Sequence, residues 1–463
     1  MPQPNILFVF SDQHRKQNLG CYGDAQVRTP NLDGLARDGL RFEHCISNAP
    51  VCVPMRGSLL TGCHAWKHRA ITNDLPVDPQ CDSIARHLAN AGYHTGYIGK
   101  WHLGGIPRTK AIPAGERLGF HEWKGANCNH AYNKGYYFDE AEQRHDIPGF
   151  QSVGETNLAL EFIDRNNARQ QPWALFLSWS PPHEPFNAVP EEYLRLYDPQ
   201  SLDLRPNVPT ELQDQARAWL RAYYALITLL DDQFGRLLAR LDQLGVADNT
   251  IVIYTSDHGD MLGSHGLRNK QLPHEESIAV PLLARWPGHI PCGVREQLCS
   301  LTDLPVTLAA LAGAAPWPNC DGQNLSAMWL NNDNGLDAAL IYDLVPCHQA
   351  EDRGASEWIG LRTTQWTYSQ DGHGKPQVLF DNAADPLQLI NLVDQPAMAG
   401  VIRDRQNALH QKLASAGPYA FRPWQQMIRE DGFRQLWNDS QLHFHRQPLP
   451  DESEPPMNTN THQ

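Results

Sequence analysis

Four segments of the chain share one pattern, in which an uninterrupted apolar run is followed directly by polar residues. The segments are NILFVFSDQ (5–13), YHTGYIGKWH (93–102), WALFLSWSPPH (173–183) and TIVIYTSDHGD (250–260). Short continuous apolar runs rich in β-branched and aromatic residues are typical of strands buried on both faces of a parallel sheet. The four segments therefore predict the central strands of such a sheet.

Helical periodicity lies between these segments. It covers residues 31–40, 83–93, 156–166 and a long stretch across 210–245. Strands that alternate with helices predict an α/β fold with a large, mostly parallel sheet flanked by helices. Because ligands of such sheets bind beyond the carboxyl ends of the strands, we expect the polar residues that end the four segments to meet at one site.

The pattern changes after about residue 330. Short strands joined by turns are predicted in ALIYDLVP (339–346), WIGLRTTQWTYSQ (358–370) and PQVLFDNAADPLQLINL (376–392), followed by a helix around 397–416. We therefore predict a catalytic α/β domain over residues 1–330, and a smaller α+β subdomain with an antiparallel sheet and a helix over 331–425. The remaining residues, 426–463, are predicted to form a C-terminal tail, which ends in a polar, Pro-rich stretch.

Composition and charge exclude several classes of function. The chain has 463 residues, 41% of them hydrophobic, and a net charge of −14, which argues against nucleic acid or an anionic membrane surface as a partner. No run is long enough to span a bilayer, and the start lacks the basic region of a signal peptide. Ten cysteines without C-x-x-C pairs predict free thiols in the cytoplasm, nine of them buried as apolar side chains.

One stretch, VCVPMRGSLLTG (51–62), combines a cysteine, a proline and an arginine in an otherwise apolar run. Pro54 suits the start of a helix and Gly62 suits its end. Cys52 would then lie just before a helix N-terminus, where backbone N–H groups and the helix dipole favour negative charge. Arg56, one turn later, would face the same anion.

This stretch, with Cys52, Pro54 and Arg56 followed by Thr61-Gly62, resembles the signature of the type I sulfatases, members of the alkaline-phosphatase-like superfamily. Further segments resemble family motifs in the family's order: TPNLDGLARDGLRF (29–42), GYIGKWHLG (96–104), PPHEPF (181–186), YTSDHGDMLGSHGL (254–267), VPLLARWPG (280–288) and LFDNAADPLQLINL (379–392). The resemblance covers roughly residues 4–420. It implies an alkaline phosphatase/sulfatase-like fold and a cysteine that a formylglycine-generating enzyme oxidises to formylglycine. Met55 departs from the family, which most often has Ser or Ala there.

The polar ends of the first and fourth segments supply candidate metal ligands. Asp12, Gln13, Asp257 and His258 offer three oxygen donors and one imidazole at two strand ends, a donor set that suits a divalent cation. The resemblance assigns these four residues to one cation, with Ca²⁺ expected first and Mn²⁺ or Mg²⁺ as alternatives. Many sulfatases have Asp at the position of Gln13 and Asn at that of His258, and a nitrogen ligand favours Mn²⁺ as a competitor.

The other polar positions are candidates for binding sulfate and moving protons. A lysine in a buried strand needs a partner charge, which draws attention to Lys100. The resemblance places Lys100, His183 and Lys270 around the sulfate. It implies this catalytic set: Cys52, Arg56, Lys100, His102, His183 and Lys270. His68 and Asn73 follow the signature and are candidates for the substrate pocket, with a scaffolding role left open.

The implied reaction is hydrolysis of a sulfate monoester. A hydrated aldehyde at position 52, polarised by the metal and Arg56, would attack sulfur, while Lys100 and Lys270 spread the charge. His183 or Lys270 would protonate the leaving oxygen, and His102 would take the proton that lets sulfate depart.

Other functions and partners stay open at this point. A phosphonate monoester or phosphodiester hydrolase could use the same site, and a non-catalytic anion-binding relative would keep Cys52 as a thiol. We expect a small sulfated substrate (choline, a sugar or an aryl group) in a pocket closed by residues 64–73 and 419–427. Self-association into a homo-oligomer is not decided by the sequence.

Overall fold

The computed structural model describes residues 3–169, 171–417 and 419–449. The strands are β1 (Asn5–Asp12), β2 (Leu40–Ile46), β3 (His94–Lys100), β4 (Glu122–Ala126), β5 (Tyr136–Phe138), β6 (Arg144–Asp146), β7 (Trp173–Pro182), β8 (Thr250–Ser256), β9 (Leu282–Arg285), β10 (Gly293–Ser300), β11 (Ala339–Asp343), β12 (Trp358–Arg362), β13 (Trp366–Gln370) and β14 (Pro376–Asp381). The α-helices are α1 (Pro30–Arg37), α2 (Cys52–Thr61), α3 (Ala65–His68), α4 (Ile84–Asn90), α5 (Gln151–Asn167), α6 (Glu191–Leu194), α7 (Gln213–Gln243), α8 (Glu275–Ile278), α9 (Leu304–Leu311), α10 (Ser326–Asn331), α11 (Gln349–Asp352), α12 (Ala399–Ser415), α13 (Trp424–Glu430) and α14 (Arg434–His443).

Ten strands form one large sheet in the order β10-β2-β9-β8-β1-β7-β3-β4-β5-β6. Its centre, β8-β1-β7-β3-β4, is entirely parallel, whereas β9 runs antiparallel to both of its neighbours. The four strands predicted from the apolar runs are β1, β3, β7 and β8, and they lie side by side. The predicted α/β fold class is thereby confirmed.

Burial on both faces explains why the central strands are apolar without alternation. All eight residues of β1 are buried. Ile6, Phe8 and Phe10 pack into a core layer shared with α2, α4 and α9. Leu7 and Val9 pack into the opposite layer with α1, α5 and the 31-residue α7. Because both faces of the sheet are covered by helices, no position along β1 needs a polar side chain until the strand ends.

Strands β11–β14 form a separate antiparallel sheet. Its apolar face joins α12, α13 and α14 in one core, which includes Leu340, Tyr342, Leu409, Ile428 and Trp437. Residues 426–449, predicted as part of a tail, thus contain helical segments that pack on this sheet. The Pro-rich end lies outside the described residues from 450 onward, and the domain boundaries at 330 and 425 stay predictions.

All ten cysteines are free thiols. Of the nine besides Cys52, which is itself buried, Cys45, Cys128, Cys299 and Cys347 are buried as predicted, Cys292 is exposed and the other four are half-buried. Within the described ranges, no helix is both long and apolar enough to cross a bilayer.

Candidate active site

Helix α2 carries the cysteine of the signature stretch into the centre of the molecule. All ten of its residues are buried, and it begins at Cys52 itself, with the extended Val51 as N-cap. The prediction that the helix starts at Pro54 is therefore wrong by two residues, because Pro54 fits within the first turn, where its missing N–H is not needed. The predicted end is right: Gly62 takes a left-handed conformation with φ of 64° and donates its N–H to the Ser58 carbonyl.

The parallel register brings the strand ends together. Ser11 pairs with Ser256, so Asp12 at the end of β1 lies beside Asp257 just after β8. The backbone N–H of Asp257 donates to the Ser11 carbonyl at 3.2 Å, and that of His183 donates to the Asp12 carbonyl at 3.1 Å. The carboxyl ends of β1, β7 and β8 thus form one edge, which faces the N-terminus of α2.

Arg56 forms buried ion pairs with the carboxylates of both Asp12 and Asp257. Its side chain is 1% exposed, and it donates to Asp257 Oδ2 at 2.9 Å and to Asp12 Oδ2 at 3.1 Å. The remaining donor, Nη1, reaches the Lys100 carbonyl at 2.9 Å and Ser178 Oγ at 2.7 Å. A buried guanidinium is stable only when its charge and its N–H groups are matched in this way.

A second buried cation acts on Asp12. Lys100 Nζ donates to Asp12 Oδ2, and both side chains are fully buried. Burial alone would raise the pKa of Asp12, but the neighbouring positive charges, Lys100 first and then Arg56, outweigh it and hold that pKa well below its usual value. Asp12 is therefore an anion at neutral pH despite its burial.

The Cys52 thiol points into this cluster. Its Sγ lies 3.3 Å from His258 Nε2, 3.7 Å from Asp12 Oδ1 and 4.0 Å from Lys100 Nζ. Burial and the Asp12 carboxylate raise the pKa of the thiol, yet the charges of Lys100, Lys270 and His258 hold it well below its usual value. The group at position 52 thus sits in a site that stabilises negative charge.

The same cluster has the composition of a cation site. One ligand atom each from Asp12, Cys52, Asp257 and His258 lies within 4.8 Å of the others, and all four residues are buried. His258 Nδ1 faces the Gly259 carbonyl at 3.0 Å, so Nε2 points toward the two carboxylates at 3.6 Å each. Burial and the charge of Asp12 raise the pKa of Asp257, which means that the cluster favours one more positive charge. These donors fit a divalent cation.

Gln13 borders this cluster in a left-handed backbone conformation with φ of 69°. Its backbone N–H donates to Asp257 Oδ1 at 3.0 Å. Its side-chain Oε1 accepts from Lys270 Nζ, and its Nε2 donates to Asp260. The backbone of Gln13 thus contacts the predicted metal site, whereas its amide oxygen is bound to Lys270 of the predicted sulfate site.

Lys270 and His183 form a hydrogen-bonded pair that lines the same cavity as Cys52. Lys270 Nζ lies 2.8 Å from His183 Nε2, and His183 Nδ1 lies 2.6 Å from the Glu184 carbonyl. Burial, Lys270 and His130 keep the pKa of His183 well below its usual value. His183 is therefore neutral, donates from Nδ1 and accepts a hydrogen bond from the lysine.

His102 lines the same cavity as Cys52, His183 and Lys270. Neither of its ring nitrogens has a hydrogen-bond partner among the described residues. Its backbone is left-handed with φ of 59°, and Nε2 is 3.9 Å from Asp74 Oδ1. Burial lowers its pKa, but the neighbouring Cys128 and Asp74 raise it to about 10. An imidazole held without a fixed partner next to an open cavity is suited to bind or exchange a proton with a ligand.

The residues around Cys52 open into a cavity of about 470 Å³. Its lining comprises Cys52, Asn73, His102, Arg108, His130, His183, Glu184, Pro185, Lys270, His348, Gln349, Asp352 and Arg446. This volume falls within the range of small-molecule sites.

Several lining residues were not predicted from the sequence. His130 Nε2 lies 3.3 Å from Lys100 Nζ and 3.2 Å from Cys128 Sγ, and its ring centroid lies 4.2 Å from that of His183. It follows β4, a fifth parallel strand whose sequence, EWKGA, contains two charged residues and so lacks the uninterrupted apolar run of the other four. Arg108, His348 and Arg446 lie in irregular segments, where no periodicity marks them.

Of the two residues predicted from the stretch after the signature to line the substrate pocket, Asn73 does so and His68 does not. Asn73 lines the cavity and accepts the Val53 N–H at 3.1 Å. His68 is not brought into the cavity, because its Nε2 lies 3.1 Å from both Ser58 Oγ and the Pro54 carbonyl while Nδ1 accepts the Ala70 N–H. The stretch 419–427 does not line the cavity either.

Two protein-family models match the sequence of this chain. A model of the family described as Sulfatase matches residues 4–314, and one described as "N-sulphoglucosamine sulphohydrolase, C-terminal" matches residues 263–415. An ulvan-active sulfatase of Formosa agariphila is 34% identical over 429 residues, covering 90% of this chain and 82% of the relative.

Two solved structures extend the comparison. A crystal structure from Bacteroides fragilis, assigned as the sulfatase yidJ, superposes with a TM-score of 0.83 at 30% identity, over 91% of this chain and 97% of that one. The phosphonate monoester hydrolase of Agrobacterium radiobacter superposes with a TM-score of 0.75 over 90% of this chain and 96% of that one. At 24% identity, this second likeness concerns the fold alone.

Proposed function

This chain belongs to the sulfatase family, and from that premise we propose that it hydrolyses a sulfate monoester with a formylglycine derived from Cys52 and one bound divalent cation. The family membership itself makes the chain a sulfuric ester hydrolase. One observation carries the finer proposal: the sulfur of Cys52 lies within a single buried cluster of ligand atoms with Asp12, Asp257 and His258.

Asp12, Asp257 and His258 would hold the cation, with Gln13 as the fourth ligand once its amide oxygen exchanges Lys270 for the metal. When bound, the ion supplies Lewis-acid charge next to position 52; Ca²⁺ is expected first, and Mn²⁺ or Mg²⁺ are alternatives. Formylglycine, in its hydrated form, supplies an oxygen nucleophile and a second hydroxyl for release of the product.

The protein residues provide orientation, charge and protons. Arg56 fixes the two carboxylates, and Lys100 adds a positive charge 4.0 Å from Cys52 Sγ. These buried cations stabilise the charge that develops on the sulfuryl oxygens without reorganising. Lys270, aligned by its contact with His183, donates a proton to the leaving oxygen. We assign to His102 the proton that accompanies sulfate release; it accepts this proton only from its neutral form, which its raised pKa makes the minor form at neutral pH.

The partners follow from this chemistry and remain predictions. A formylglycine-generating enzyme must act on Cys52, which is fully buried in the folded chain, so modification should precede folding. The substrate is a small sulfated molecule, and a cytoplasmic location stays a prediction from the sequence.

Two measurements test the proposal. Mass spectrometry of the peptide that contains Cys52 should show replacement of the thiol by an aldehyde, and the converted protein should hydrolyse an aryl sulfate. The alternative, a phosphonate or phosphodiester hydrolase, is tested by comparing kcat/KM for an aryl sulfate and a matched aryl phosphonate monoester. An unmodified thiol in active protein would overturn the formylglycine proposal, and a preference for the phosphonate would favour the alternative.

A further inference from the structure

The cavity has an outer end whose residues the proposed chemistry does not use. Arg108, His348, Gln349, Asp352 and Arg446 line it, away from the cluster around Cys52. The inner and outer ends are joined through the buried Asp74, which lies near His102 and also contacts Arg108 and His348. A ligand whose sulfate group reaches Cys52 would therefore extend past these outer residues.

Arg108 is held in place while one part of its guanidinium remains available. Nε and Nη2 donate to the two oxygens of Asp74 at 2.6 and 2.8 Å, and the side chain is 28% exposed. Among the described residues, no acceptor contacts Nη1. His348 supports this arrangement from a strained backbone with φ of 49° and ψ of −115°, at 3.0 Å from Asp74 Oδ2. Strain at a non-glycine residue in a cavity wall is typical of a functional position.

Arg446 reaches the same cavity from the segment that follows α14. Its Nη1 contacts Glu351 at 2.5 Å and its Nη2 contacts Asp352 at 3.0 Å, and its side chain is 26% exposed. Two residues earlier, the ring of Phe444 lies 4.8 Å from the Arg108 guanidinium. This segment lies beyond residue 415, where the second of the two family matches ends. The outer wall is therefore partly built by residues that lie outside both family matches.

The acidic residues of the lining are already paired. Glu184 contacts Arg268 at 2.5 Å, and Asp352 contacts Arg446. The lining contains no Trp, Tyr or Phe, so it lacks the aromatic faces that bind a quaternary ammonium group. The outer end thus offers fixed guanidinium groups and no cage for a cation, which disfavours choline sulfate.

We propose that Arg108 and Arg446 form a second anion subsite, and that the substrate is a sulfated sugar carrying another acidic group, a carboxylate or a second sulfate, beyond the ester that is cleaved. This inference rests on the proposed sulfatase function and narrows its substrate class. Planar guanidinium groups that are already oriented by carboxylates bind such groups with little further loss of side-chain freedom.

The test compares three sugar sulfates with the same cleaved ester: one neutral otherwise, one with an adjoining uronate, and one with a second sulfate. For the wild-type protein we expect kcat/KM to be at least about ten-fold higher for an acidic substrate than for the neutral one, chiefly through KM. The two acidic substrates distinguish a carboxylate from a sulfate as the second group. In R446Q this preference should fall by about ten-fold.

Arg422→Gln is the matched control, because Arg422 lies in the same C-terminal segment, is also paired with carboxylates and does not line the cavity. It should retain the wild-type preference. A wild-type enzyme that favours the neutral sugar sulfate, or a preference that survives in both R446Q and R108Q, would overturn the inference. Failure to hydrolyse any sulfate, including an aryl sulfate, would instead contradict the proposed function.

Discussion

A buried carboxylate at the carboxyl edge of the large sheet and one in the small sheet have pKa values shifted in opposite directions. At the large sheet, Asp12 is fully buried but paired with Arg56 and Lys100, and its pKa lies well below the usual value. At the end of β11 in the small sheet, Asp343 is 1% exposed, neither of its oxygens has a hydrogen-bond partner, and burial raises its pKa to about 8. Burial is similar; the presence of partner charges decides whether the carboxylate stays ionised.

This difference matches what each region contributes to the cavity. The large sheet supplies the inner end, where permanent charge beside Cys52 serves the chemistry. The region of the small sheet and its C-terminal helices supplies His348 and Arg446 to the outer wall. The carboxylates that do contact the guanidinium groups of this wall are Asp74 at Arg108, and Glu351 and Asp352 at Arg446.

The largest effect is expected from removing the reactive group at the inner end. Cys52→Ala should lower turnover of an aryl sulfate by on the order of 10³-fold or more, because no nucleophile can form at position 52. Circular dichroism should show an unchanged fold, since a small buried side chain is replaced by a smaller one. Cys292→Ala, which changes an exposed thiol, should retain activity. Substantial turnover by a homogeneous Cys52→Ala preparation would contradict the mechanism.

Loss of a metal ligand should be almost as severe. Asp257→Ala removes one of the two carboxylates of the cluster, and we expect metal affinity to fall by at least about 100-fold, together with activity. Elemental analysis of protein equilibrated with Ca²⁺ or Mn²⁺ measures the first effect. Asp248→Ala is the matched control, because Asp248 is exposed near the amino end of the same strand, β8. A variant that keeps full metal occupancy would remove Asp257 from the ligand set.

Replacing Arg56, which forms ion pairs with both Asp12 and Asp257, tests whether these ion pairs stabilise the folded protein. Arg56→Met leaves Asp12 and Asp257 buried with less positive charge, so the free energy of unfolding should fall by about 3–5 kcal/mol. Arg195→Met, which breaks a pair whose side chains are 75% and 62% exposed, should cost less than about 1 kcal/mol. Urea denaturation at pH 7 measures both values. Equal losses in the two variants would mean that burial of the Arg56 network contributes nothing special.

The smallest effect concerns Asp343 and depends on pH. Its folded pKa of about 8 lies above the usual value of 3.8 for an exposed aspartate, so the folded state binds the proton more tightly. Stability is therefore greatest at low pH and decreases as pH rises toward 8. Between pH 5 and 8, wild-type protein should lose on the order of 1–3 kcal/mol more than Asp343→Asn. Parallel stability curves for the two proteins would show that Asp343 is already ionised in the folded state.

The core of the site was predictable because it lies at the ends of regular elements. Asp12, Lys100, His183 and Asp257 each end or follow an apolar run, and parallel strands bring such ends to one edge. The helix that carries Cys52 was predicted two residues too short, since capping by Val51 depends on backbone geometry that the residue types do not specify. His130 was missed because the short strand before it, β4, contains Glu122 and Lys124 and therefore lacks the apolar run that marks the other central strands.

The sequence by itself predicted the α/β fold, its central strands and the residues of the inner site. Hydrophobic periodicity and motif spacing are local properties of the chain, so they can be recognised without knowing the tertiary structure. Only the tertiary structure decided which side His68 faces and that Arg446, 394 residues after Cys52 in the chain, shares a cavity with it. It also decided which buried carboxylates are ionised, because pKa depends on partners contributed by distant segments. Contacts between irregular segments leave no periodic signal, so the outer wall and its charge emerge only when the chain is folded.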